Sequence, residues 1–119
     1  MHGTRKPKKP DIEERNDTNM NMNIQQTRSG ENLLLSIEGV IDTKTAPTLE
    51  KTIQERIEDI RELVFDLEKV SYISTAGLRV LLYAHQEMMD RGTMKIVHAN
   101  QELMEIFHIT GFSNVLNIE

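Results

Sequence analysis

Cysteine is missing from all 119 residues. Without it there is no disulfide scaffold, no thiolate metal ligand and no cysteine nucleophile, and the chain suits a reducing compartment. Tryptophan is missing as well, and three Phe with two Tyr make up 4% of the chain, too few for a platform on which bases stack. Long apolar runs are lacking: the longest covers residues 80–84, whereas a membrane-crossing helix needs about 20 apolar residues. The polar N-terminus has no signal-peptide core. These absences predict a cytoplasmic protein without membrane insertion. Excess positive charge is lacking too. Residues 20–119 hold 9 basic against 15 acidic side chains, a net −6 with His neutral. Such a body disfavours nucleic acid as a partner, because phosphate neutralisation supplies most of that affinity.

What is present fits one domain, since domains commonly run to about 100–150 residues. Residues 1–19 contain two of the three prolines and, after Met1, Ile12 as their one large apolar residue. They are expected to be a disordered tail or an artificial leader, with the domain proper over 20–119. Residues 21–28 alternate weakly, as an edge strand does. Residues 29–32 form a turn, and 33–41 read as a second strand, with Leu33, Leu35, Ile37 and Ile41 on one face. After a polar loop at 42–45, Pro47 sits in the first turn of a helix, where its missing N–H costs nothing. Ala46, Leu49, Ile53, Ile57 and Ile60 make that helix's apolar stripe.

Residues 62–67 are a compact central strand, and 68–73 are expected to be a loop. Ser74 opens a second helix to about residue 91, with Leu78, Leu81, Leu82, His85, Met88 and Met89 inward and Val80 and Ala84 widening the stripe. Gly92 breaks it. Residues 93–99 form another strand. Asn100 caps a third helix with Leu103, Ile106 and Phe107 inward, and 115–118 are a last short strand. The predicted fold class is α/β. The order ββαβαβαβ implies one mixed, mostly parallel sheet with helices packed against it.

Catalytic signatures are scarce. There is no Gly-rich phosphate loop, no HExxH, no GxSxG and no carboxylate cluster on metal-ligand spacing. His2, His85, His98 and His108 lie in different segments; His85 reads as a packed residue at the core's edge. No metal or cofactor is expected. One stretch stands out: Ser71, Tyr72, Ile73, Ser74, Thr75, Ala76, Gly77 and Leu78. Two hydroxyls sit where a loop becomes a helix. An N-cap needs only one of them, and it leaves Thr75 and the small pair Ala76–Gly77 unexplained. Glycine in a first helical turn makes sense where another backbone or a phosphate approaches closely. A phosphate at a helix N-terminus also meets free N–H groups and the positive end of the dipole.

The stretch from Tyr72 to Leu82 resembles the signature of STAS domains, in particular the bacterial anti-sigma factor antagonists. Two more segments agree. Gly39-Val40-Ile41-Asp42 is similar to the family's G-x-[IL]-D run before the first helix, and residues 63–67 are similar to its central strand, with Asp66 near the end. The resemblance spans about residues 22–119 and implies a single STAS domain over 20–119. It implies a non-enzymatic partner switch. The unmodified antagonist binds an anti-sigma factor, a kinase of the histidine-kinase ATPase type, and so releases a sigma factor. The kinase phosphorylates a Ser or Thr at the start of the second helix, and a PP2C-type phosphatase reverses this.

On the family motif [DS]-[ST]-[SA]-G-[LI], Ser74 stands where Asp is frequent, Thr75 at the acceptor, Ala76 at the small position and Gly77 at the glycine. Thr75 is therefore the expected phosphorylation site, with Ser74 the runner-up. Two departures stand out: Thr replaces the commoner Ser, and Ser74 removes a negative charge beside it. Many members also continue into a further C-terminal helix. The expected partner surface joins Asp42, Thr43 and Thr45 to Tyr72, Ser74, Thr75, Ala76, Gly77, Leu78 and Arg79. Both segments follow parallel strands and open on the same sheet edge. A STAS scaffold or sensor in another signalling complex is the alternative. A nucleophilic enzyme would need a general base near Ser74 or Thr75, and Lys69 is the one Lys or His within eight residues.

Overall fold

The computed structural model describes residues 12–119. Five strands form one sheet in the order β1-β2-β3-β4-β5: β1 Ile12–Asn19, β2 Met22–Ser29, β3 Asn32–Ile41, β4 Glu62–Ile73 and β5 Thr93–Val97. Three helices are interleaved: α1 Ala46–Arg56, α2 Thr75–Met89 and α3 Gln101–Ile109. β1, β2 and β3 pair antiparallel, whereas β3–β4 and β4–β5 are parallel. Each parallel step is bridged by a helix, as a parallel crossover requires. The predicted mixed α/β sheet is thus observed. The last expected strand is reduced to a parallel bridge between Ile96 and Ile118, held by Ile96 N–H to Asn117 O at 2.9 Å and Glu119 N–H to Ile96 O at 2.8 Å.

Alternation along the strands decides which face is covered. Ile24, Leu33, Leu35, Ile37, Leu63, Phe65, Leu67 and Ile96 are each at most 2% exposed. They share one core with Leu49 and Ile53 of α1, Leu81 and Ala84 of α2, and Leu103 and Phe107 of α3. The alternate positions, including Asn23, Gln25, Ser36, Asp66 and Glu68, stay partly or fully exposed. The sheet therefore has one helical face and one open polar face, and reads apolar-in, polar-out. The stripe of α1 is buried as its spacing predicts, from Ala46 through Ile53, continuing to Ile57 in the short 3₁₀ turn that follows and to Ile60 just after it. On α2 the stripe is narrower than predicted. Met88 is buried, but Met89 is 67% exposed, because one residue along a helix is a turn of about 100° away from the core.

Two expectations are corrected. Residues 12–19 are not a structureless leader: they form β1, with all eight residues in register with β2. The segment has no apolar face, so its hold comes from the backbone ladder and from polar side chains reaching α1. The Arg56 guanidinium grips the Glu13 carboxylate at 2.9 and 3.0 Å, and Arg15 reaches Glu55 at 3.2 Å. Asp17 accepts from Thr52 Oγ1 at 3.0 Å and from Gln26 Nε2. The part of the expected leader over residues 1–11 lies outside the described residues.

The second correction is to residues 68–73, expected as a loop. They continue β4, because Glu38–Ile41 of β3 offers them a pairing edge. Two register shifts, between Ser36 and Glu38 and between Gly39 and Val40, each give β4 one extra residue. Such bulges break the period of two. Val70 and Ile73 are consequently buried three residues apart, a spacing that hides the strand from a search for alternation.

Candidate functional site

The carboxyl ends of β3 and β4 deliver the two segments expected at the partner surface to one edge. The loop after β3 is tied by its own side chains. Asp42 Oδ1 accepts from Lys44 N–H at 2.9 Å and Thr45 N–H at 3.1 Å, the turn that Asp side chains favour. Thr45 is fully buried. Its hydroxyl donates to Val40 O at 2.8 Å and accepts from Asp42 N–H at 2.8 Å. Upstream, Gly39 has φ +104, and a Cβ there would lie 2.1 Å from Asn21 O. Only glycine allows the β1–β2 turn to close on this strand end, where Val40 N–H donates to Asn21 O at 3.0 Å.

At the end of β4 the chain turns into α2 through Ser74. Ser74 N–H donates to Ile41 O at 2.8 Å, locking the β4–α2 junction to the end of β3. Its φ of −96° and ψ of 178° are those of an N-cap, and its hydroxyl accepts from Gly77 N–H at 3.5 Å, a long bond. Thr75 is the first residue of the helix and is exposed. The two hydroxyls are thereby separated in role: Ser74 is half-buried and turned to the helix end, and Thr75 points outward. No acidic residue lies in the first turn, so nothing there opposes an anion at the positive end of the helix.

Gly77 is buried, and of the two close approaches expected at it the structure shows an internal one. A Cβ at this position would lie 2.6 Å from Ile73 Cγ1, 2.7 Å from Ile41 Cγ2 and 3.1 Å from Ile41 O. The close approach it permits is of α2 onto the ends of β3 and β4. Of the residues expected to touch a partner, Thr43, Tyr72, Thr75 and Arg79 are exposed, and Asp42, Ser74 and Ala76 are half-buried. Thr45, Gly77 and Leu78 are buried, at most 4% exposed for Thr45 and Leu78. This corrects their expected role: they shape the surface from beneath.

Beside the site a groove of about 310 Å³ runs between α1 and α2, lined among others by Thr43, Ala46, Pro47, Ala76, Arg79 and Tyr83. Pro47 and Tyr83 were not among the sequence candidates. The signal for Tyr83 was available, since 76, 79, 80 and 83 fall on one helical face. Burial pushes the Tyr83 hydroxyl above its ordinary pKa, and the charge of Glu87 adds to that, so it stays a neutral donor at neutral pH. Among the described residues, Arg79 makes no ion pair. The edge therefore offers an exposed hydroxyl, an aromatic ring, an uncommitted cation and a shallow groove.

Comparison with known proteins agrees with this geometry. The model of the STAS domain family matches residues 22–119. The putative anti-sigma factor antagonist BtrV of Bordetella bronchiseptica is 32% identical over 88 residues, which are 72% of this chain and 76% of that protein. The anti-sigma-B factor antagonist of Bacillus subtilis is 27% identical over 100 residues, 83% of this chain and 92% of that one. Among solved structures, an anti-sigma factor antagonist from Mycobacterium paratuberculosis superimposes with a TM-score of 0.75 at 23% identity, over 82% of this chain and 84% of that one. SpoIIAA in its phosphorylated form gives a TM-score of 0.66 at 14% identity, over 81% and 90%.

Proposed function

Because the chain belongs to the STAS domain family, and its relatives include anti-sigma factor antagonists, we propose that it is itself such an antagonist, switched by phosphorylation of Thr75. Unmodified, it binds an anti-sigma factor of the kinase type through the β3–α1 loop and the start of α2, and a sigma factor is released. The kinase transfers phosphate to Thr75, and a PP2C-type phosphatase restores the active form in the cytoplasm. The protein catalyses nothing itself.

The observation that carries this reading is the division of labour at the α2 N-terminus. Ser74 is half-buried at the N-cap, with its hydroxyl facing Gly77 N–H, while Thr75, one residue on, is exposed. A phosphate there adds a charge of about −1.5 to −2 and three acceptor oxygens at pH 7. A partner that closes over Thr43, Tyr72 and Ala76 would have to bury that charge, at a large desolvation cost. The fold itself need not change. The full chain, used as bait in a lysate of its source cell, should recover a kinase. That kinase with ATP should place phosphate on Thr75, as read by fragmentation mass spectrometry. Phosphate on Ser74 or Ser71 alone would refute the assignment.

A further inference from the structure

Away from the α2 terminus, on the open face of the sheet, a second group of side chains has no part in the switch. Asp66 and Glu68 project from β4, and His98 follows the last residue of β5. One ligand atom from each lies within 4.8 Å of the others. We infer that Asp66, Glu68 and His98 form a binding site for a divalent transition-metal cation of the zinc or manganese type.

The geometry is that of a site held on rigid elements. Asp66 pairs directly with Val97 in the β4–β5 ladder, so the residue after Val97 is delivered beside the Asp66 carboxylate. His98 takes a φ of +63° there, and its Nδ1 comes 3.1 Å from Asp66 Oδ1. Two ligands on one metal at bond lengths of about 2.1 Å and angles near 90–110° stand about 3.0–3.4 Å apart. Nδ1 and Oδ1, hydrogen-bonded when Nδ1 carries the imidazole proton, already have that separation, and a metal would take that proton's place with the tautomer moved to Nε2. Glu68 is placed by the first bulge: Ser36 pairs with Asp66 but Glu38 with Lys69. The extra residue lies in β4 between those pairs, and Glu68 N–H donates to Asp66 Oδ1 at 3.0 Å. Its exposed carboxylate offers an oxygen within 4.8 Å of the other two ligand atoms. Bulges commonly re-aim side chains at sites of this kind.

Charge and ligand type select the cation. Glu38, Asp66, Glu68 and Lys69 line a hollow of about 320 Å³ with a net charge of −2, and His98 approaches Asp66 from the β5 side. The imidazole suits zinc better than magnesium or calcium, which prefer all-oxygen sites, while the two carboxylates also admit manganese. Three protein ligands on an open face leave positions for water or for a group from a partner. The site lies where the edge strand β5 ends, while β4 runs on to Ile73 before α2 begins, so cation binding and Thr75 modification are addressed by separate surfaces.

The test is a zinc titration of the full chain by calorimetry, together with amide NMR line broadening by manganese. One zinc per chain is expected, with broadening confined to residues 66–69 and 97–99. His98→Asn and Asp66→Asn should each weaken zinc binding at least about tenfold, since even second-shell losses reach that size, while His108→Asn changes nothing. Because His98 and Glu68 are exposed, circular dichroism should show the His98→Asn and Glu68→Gln variants folded. Zinc affinity unchanged in His98→Asn, broadening centred on His2, His85 or His108, or no binding below millimolar zinc would each overturn the inference.

Discussion

Replacing Gly77 by Ala puts one methyl group where the structure has no room for it. The new carbon would stand 2.6 Å from Ile73 Cγ1 and 2.7 Å from Ile41 Cγ2, about 1 Å inside the usual 3.5–4.0 Å carbon contact. Neither isoleucine can swing out into solvent, since they are 1% and 0% exposed, and Ile41 O at 3.1 Å blocks the backbone side. Overpacking of this kind costs about 1–3 kcal/mol. Against it stands the better helix propensity of Ala, at most about 1 kcal/mol in a helix interior and less in a first turn. The net expectation is a loss of about 1–2 kcal/mol. In a thermal melt this lowers the midpoint by several degrees, at about 4–8 °C per kcal/mol for a domain near this size. Relief of the clash also pushes the α2 N-terminus outward, so the already long Ser74 cap should break and Thr75 should move with it. An unchanged or raised melting midpoint would refute the packing argument. Gly77 would then have to be explained by contact with a partner instead.

Further outcomes follow from the same contacts. Thr45→Val keeps the volume but leaves Asp42 N–H and Val40 O without the buried hydroxyl they share; urea denaturation should show a loss of about 1–3 kcal/mol. Thr75→Glu should weaken binding of the anti-sigma partner in calorimetry, whereas Thr75→Ala should bind as the unmodified chain does and resist the kinase; equal affinities for both would put the interface elsewhere. Deleting residues 1–19 removes β1 and leaves Arg56 and Gln26 without Glu13 and Asp17, so the shortened chain should melt lower than the full one. The Arg56 hydrogen bond holds the Glu13 carboxyl below its ordinary pKa. Its contribution is therefore complete above the unfolded value of about 4.3 and is lost as pH falls through the lower folded value. The melting difference between the full chain and Glu13→Gln should be full at pH 7 and shrink as pH is lowered below about 4.3; a difference that does not shrink with pH would mean Glu13 acts through packing.

Period and punctuation in the chain were enough to place α1, α2 and α3, because each buries a stripe against a sheet: Leu49 and Ile53, Leu81 and Ala84, Leu103 and Phe107. Asn100 and Ser74 were legible as caps, since their oxygens meet orphan N–H groups wherever a helix begins. The hydroxyl pair at the α2 start and the glycine beside it also stood out locally. Tertiary structure alone decided the rest. β1 exists because β2 offers a free edge and α1 offers Thr52, Glu55 and Arg56; its own residues carry no hydrophobic period to announce it. The second half of β4 became strand because β3 runs beside it, and bulges shifted its buried positions to a spacing of three. Thr45 turned inward and Thr75 outward, a difference between two threonines that only the packing of the loop against Val40 could create. Asp66, Glu68 and His98 are 30 residues apart in part, so no spacing rule joins them; parallel pairing of β4 with β5 brings the histidine beside the carboxylates. Local signals are carried by neighbours in the chain, and these features depend on neighbours across the sheet.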